Sequence, residues 1–109
     1  MFEIISPRKV AQVVLMSREL DRAEAELRAF IDRLNEEEQA ALVTVMWVGR
    51  DSFDAEDWQE AYQTALSEAT TPTADYLIGT PHLSENLEAG MEAFGVSVTD
   101  IEDDLMLDR

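Results

Sequence analysis

The stretch AALVTVMWV, residues 40–48, constrains this chain more than any other feature, because Thr44 alone interrupts its apolar side chains. Just before it, Asn35 stands three residues ahead of Glu38, the spacing of a capping box. Glu36, Glu37 and Glu38 crowd the turn where the helix dipole favours negative charge. These start signals make the run a helix, and a helix without a polar face has to be surrounded by others. The chain is therefore expected to be all-α, a compact bundle of five to six short helices with this apolar helix at its centre. Gly49 reads as the left-handed residue that closes the central helix, with Arg50 placed where a cation is favoured.

The neighbours follow from periodicity and punctuation. Ser6-Pro7 reads as an N-cap with proline at the first helical position, and Val10, Val13 and Val14 give that first helix an apolar face. Ala23, Leu27, Phe30, Ile31 and Leu34 form one stripe of a second helix, with a kink or short turn expected between Ser17 and Asp21. After Gly49, Asp54 and Asp57 repeat the cap logic ahead of a stripe through Trp58, Ala61, Tyr62, Ala65, Leu66 and Ala69. Thr71-Pro72 opens a short helix ending at Gly79. Thr80-Pro81 then opens a further one, with Leu83, Leu87, Gly90, Met91 and Phe94 on its inner face and Gly95 beyond its end. Gly90 lies within a helix at a cost of roughly 1 kcal/mol against alanine, which points to a second backbone packed closely against it. Residues 1–95 are expected to form one domain, and residues 96–109, rich in acids and without a helical stripe, an acidic C-terminal tail.

Charge narrows the partners. The chain of 109 residues carries 24 acidic and 8 basic residues, a formal net of −16. Residues 1–35 balance, with Arg8, Lys9, Arg18, Arg22, Arg28 and Arg33 against an equal number of acids; from Glu36 onward only Arg50 and Arg109 are basic. Such a surface repels nucleic-acid phosphates and anionic lipid, so neither direct nucleic-acid binding nor membrane binding is expected. No apolar run approaches the roughly 20 residues of a membrane span. There is no cysteine to form disulfides, thiolate metal sites or a thiol nucleophile, and the cytoplasm is the expected compartment.

Several of these residues together carry a resemblance. Ile5-Ser6-Pro7 with Lys9-Val10, LNEEEQAALVTVMWVGR from Leu34 to Arg50, Phe53, Trp58, and YLIGTPHL from Tyr76 to Leu83 with Leu87 and Gly90 are similar to the bacterial family of small helical proteins catalogued as domain of unknown function 3775. The resemblance spans residues 4–98 and implies a helical fold and a bacterial origin. It implies no activity, cofactor or site residue. Similar proteins often carry a longer acidic insertion between the first two helices, whereas here Glu19-Leu20-Asp21 passes directly into the second.

The chemistry on offer is sparse. His82, the one histidine, would need Ser84 or Glu85 and a nucleophile from elsewhere to act as a catalytic base; the plainer reading is a surface histidine after Thr-Pro. A deep pocket holding His82 would favour an enzyme or small-ligand site at the corner of the last two helices, and an exposed His82 would speak against it. Zinc would have to be held mainly by carboxylates, an uncommon set. Asp51, Ser52, Asp54, Glu56 and Asp57 gather oxygen ligands, but the sixth position of a calcium loop would be Glu56 and the twelfth Tyr62, where glycine and glutamate are required. Gly79, Thr80 and Pro81 lack the glycine-rich loop and lysine of a phosphate cradle. No catalytic, cofactor-binding or metal-ligating residue is assigned, and no cofactor is expected.

What remains is surface. Trp47 sits on a helix too apolar for a small bundle to cover completely, and an uncovered aromatic is a common interface anchor. Trp47, Arg50, Tyr76, Thr80 and His82 are the candidate interaction residues. The reading is a non-catalytic module that binds an unidentified protein partner or a second copy of itself. The alternatives are an acidic decoy or regulator of a basic, nucleic-acid-binding protein, and a small-ligand binder or enzyme at the corner of the last two helices.

Overall fold

The computed structural model describes residues 1–101, and among them every regular element is helical. The order is α1 (Pro7–Arg18), α2 (Leu20–Arg33), α3 (Glu36–Gly49), a single 3-10 turn (Ala55–Asp57), α4 (Trp58–Ser67), α5 (Thr73–Ile78) and α6 (Leu83–Ala93). Ser6 caps α1 as expected, its Oγ accepting the Lys9 amide hydrogen at 3.3 Å ahead of Pro7 at the first helical position. Glu19, with φ −121° and ψ 47°, is the one non-helical residue between α1 and α2, so the break lies inside the expected interval and needs neither glycine nor proline. Both halves of the capping box at α3 are present: Asn35 Oδ1 accepts the Glu38 amide at 2.7 Å, and Glu38 Oε1 accepts the Asn35 amide at 3.1 Å.

α3 buries Ala40 through Met46 and Val48, while α4, α5 and α6 all pack against it. Its buried Thr44 hydroxyl donates to the Ala40 carbonyl at 2.8 Å, so the single polar residue of the run leaves no unpaired group. α1 packs against α6 and α2, and α2 against α5, giving a compact molecule with a radius of gyration of 12.8 Å.

The crossing of α3 and α6 corrects the reading of Gly49. This glycine is the last helical residue of α3 and not the left-handed one that closes it, and an added Cβ would sit on the Asn86 carbonyl and 2.8 Å from the Gly90 nitrogen. At Gly90 an added Cβ would collide with the Val45 carbonyl and stand 2.9 Å from Val45 Cγ1. The two glycines thus let two backbones touch, as the mid-helix position of Gly90 implied. The left-handed residue after α3 is Asp51, φ 66°: its amide donates to the Val48 carbonyl and that of Ser52 to the Trp47 carbonyl, the paired bonds of a Schellman ending. α6 ends the same way at Gly95, φ 82°, where glycine was expected.

The starts of α4, α5 and α6 also differ from expectation. Asp54 precedes the 3-10 turn but makes no side-chain cap bond. Pro72 is the residue before α5 instead of its first. α6 begins at Leu83, not at Pro81, and His82 stands outside it in the left-handed region, φ 57° and ψ 38°. Turning the chain there lets Leu83 and Leu87 enter the core. Beyond α6, Val98 is 4 % exposed and part of the core, and residues 98–101 form a helical turn. The core therefore reaches past residue 95, where the acidic tail was expected to start; residues 102–109 of that tail lie outside the described residues.

Candidate functional site

Three of the five candidate residues meet at the C-terminal end of α3. The half-buried Trp47 donates from its indole Nε1 to the Tyr76 hydroxyl at 2.9 Å, which ties α3 to α5. Arg50 Nη2 donates to the same hydroxyl at 3.4 Å and Arg50 Nε to the Ser52 hydroxyl at 2.9 Å. The Trp47 ring stacks on Phe53, centroids 5.7 Å apart and planes 27° from parallel. Phe53 follows from the Schellman ending: the left-handed turn at Asp51 folds the chain back over the last turn of α3.

Trp47 and Tyr76 close one end of a cleft of about 660 Å³. One wall is a stripe of α3, Glu36, Gln39, Ala40, Val43 and Trp47, which share a single face of the helix. The other wall is the end of α4 and its connection to α5, from Ala65 and Leu66 to Thr73. Leu66, at 37 %, is the one large apolar side chain counted as exposed among the described residues. The expected stripe of α4 is covered only in part. Ala61 and Ala65 are buried, Trp58 and Tyr62 are half-buried, and Leu66 and Ala69 face solvent. Small residues let α4 lie close on α3 and leave its larger side chains at the edge.

Thr80 and His82 lie elsewhere. The Thr80 hydroxyl donates to the Tyr76 carbonyl at 2.8 Å and so serves the end of α5. The His82 side chain is 78 % exposed, its Nδ1 3.0 Å from Glu85 Oε2, beside a second, shallower hollow of about 410 Å³ that also includes Ser17 and Leu20. Ser84 donates to the other oxygen of Glu85 at 2.7 Å. The Ser84 hydroxyl first, and His82 second, hold the Glu85 carboxyl below its ordinary pKa. The proton of the buried Ser84 is thus directed to the Glu85 carboxylate and not to the imidazole, and the carboxylate and imidazole both stand open to water. Among the described residues no three His, Asp or Glu side chains converge as a metal would require, and no helix is long and apolar enough to cross a membrane.

A family model described as Protein of unknown function (DUF3775) matches residues 24–96, well over half of the chain. The chain belongs to this family. The match takes in the capping box, all of α3, the cleft and the α3–α6 crossing of this DUF3775 chain, while Ile5-Ser6-Pro7 and Lys9-Val10 fall outside the matched span. Neither the curated proteins nor the solved structures contain a match.

Sequence reasoning selected Trp47, Arg50 and Tyr76 and missed Leu66, Glu36 and Glu68, which share the cleft. Periodicity puts Leu66 on the inner stripe of α4, and no local signal separates a covered stripe position from an uncovered one. Glu36 reads only as a first-turn charge, and Glu68 falls in no motif.

Proposed function

We infer that this DUF3775 chain is a non-catalytic binding module for a protein partner, and that the cleft between α3 and the α4–α5 connection is its contact surface. The observation that carries this reading is the solvent-facing Leu66 in the same cleft as Trp47 and Tyr76. Tryptophan, tyrosine and arginine are the residue types on which binding energy concentrates when pockets are desolvated. Here the first two are held by each other and by Phe53, so they are ordered before any partner arrives. A pre-ordered aromatic anchor loses little side-chain entropy on binding. The His82 corner, by contrast, holds its imidazole and the Glu85 carboxylate out in solvent.

The test is parallel capture from native lysate with the tagged chain, its Leu66→Gln variant and its His82→Ala variant. A partner retained by the unaltered chain and His82→Ala but lost by Leu66→Gln is the expected result. Retention by all three overturns the cleft reading, and loss on His82→Ala alone moves the contact to the α5–α6 corner.

A further inference from the structure

Acids and bases are sorted in this molecule. Lys9, Arg18 and Arg28 of the α1–α2 hairpin reach across to Glu38 on α3, Glu88 on α6 and Asp75 on α5; the Lys9–Glu38 contact measures 2.6 Å. None of the three acids so neutralised lines the cleft. Its own acids, Glu36 and Glu68, have no ion-pair partner among the described residues, and no lysine or arginine lines it. Glu36 and Trp47, eleven residues apart on α3, set a length of roughly 16 Å at about 1.5 Å per residue. Between them the α3 wall presents Ala40 and Val43, with Ala65 and Leu66 on the other wall. The indole donor of Trp47 is already engaged by Tyr76, so what Trp47 offers a ligand is ring surface, suited to apolar groups and to cations.

We propose that the cleft receives a short extended segment of a basic protein, with an apolar side chain against Val43, Ala65 and Leu66 and a lysine or arginine drawn to Glu36 and Glu68. This rests on the cleft being the contact surface. About five residues of extended chain cover its length. Charge decides among occupants. An anionic ligand finds no base among the lining residues, Arg50 being held on the Tyr76 hydroxyl and Ser52 at one end. A second copy brings its own net −16 against the same sign, whereas a basic segment is attracted over a distance and held at contact by Glu36 and Glu68.

The test uses the full chain carrying Trp58→Phe, so that emission reports Trp47, titrated with three synthetic probes: alternating leucine and lysine, alternating leucine and glutamate, and lysine alone, each about five residues long. The leucine–lysine probe should saturate, weaken as salt rises and outbind the other two. Glu36→Gln with Glu68→Gln should raise its Kd about fivefold, the scale of two partly exposed charge contacts. Glu92→Gln with Asp100→Asn, outside the cleft, should change it less than twofold. Equal weakening by both pairs, or no response to the leucine–lysine probe, overturns the proposal. Equal binding of the glutamate probe overturns the charge assignment while the cleft reading stands. If Leu66→Gln leaves every titration unchanged, the cleft reading itself fails.

Discussion

Where α3 and α6 cross, one methyl group is enough to push two backbones apart. Gly49→Ala and Gly90→Ala each gain roughly 1 kcal/mol of helix propensity, yet each puts a Cβ into the facing helix backbone. Overpacking of that kind costs about 1–3 kcal/mol or more, and carbonyls locked in helices cannot step aside. Both variants are expected to unfold at lower urea, by about 2 kcal/mol net, in far-UV circular dichroism. The Trp47–Tyr76 bond is a milder test: Tyr76→Phe strands the half-buried indole donor and should cost about 1 kcal/mol in the same assay, with a change in tryptophan emission. Gly90 was legible as a close-packing site because a mid-helix glycine is costly without a reason. Gly49 was not, since a glycine followed by Arg50 and Asp51 reads equally well as a helix terminator.

At the scale of elements, Glu38 joins two devices, closing the capping box of α3 through Asn35 and pairing with Lys9 of α1. The Lys9 ammonium first, and the Asn35 amide second, hold its carboxyl below the ordinary glutamate pKa. A carboxyl more acidic folded than unfolded contributes stability that is fully present above its unfolded value, about 4.3, and is lost as pH falls through the lowered folded value. The advantage of the unaltered chain over Glu38→Gln should therefore shrink as pH drops below about 4.3, read as the gap between their urea midpoints, because relief of the other acids' repulsion acts on both chains alike. Asn35→Ala, which removes the other half of the box, should cost about 1 kcal/mol at neutral pH. These caps were readable because a cap is a local bargain between neighbouring side chains and amides. The start of α6 was not: Thr80-Pro81 has the form of a helix opening, but seating Leu83 and Leu87 in the core requires the left-handed turn at His82.

For the whole molecule the net charge of −16 sets the balance. The ion pairs from α1 and α2 lie near the surface and are worth little each, so salt weakens a small favourable term while it screens a large repulsive one. Raising sodium chloride from about 20 mM to about 500 mM is expected to lift the unfolding temperature by several degrees, on the order of 1 kcal/mol, in calorimetry. A fall over that range would mean that the hairpin's ion pairs outweigh the repulsion.

The sequence by itself determined the helical class, the two best-capped helix starts and the apolar helix that others must surround, because period and capping act over a few residues and need no distant partner. It also placed Trp47 and Tyr76 among residues worth watching. Only the tertiary structure decided that their side chains meet, that Leu66 is left uncovered and that Glu36 and Glu68 border one cleft. Those relations join α3 to the end of α4 and the start of α5, and the distance between such segments is set by how closely small residues let the helices pack.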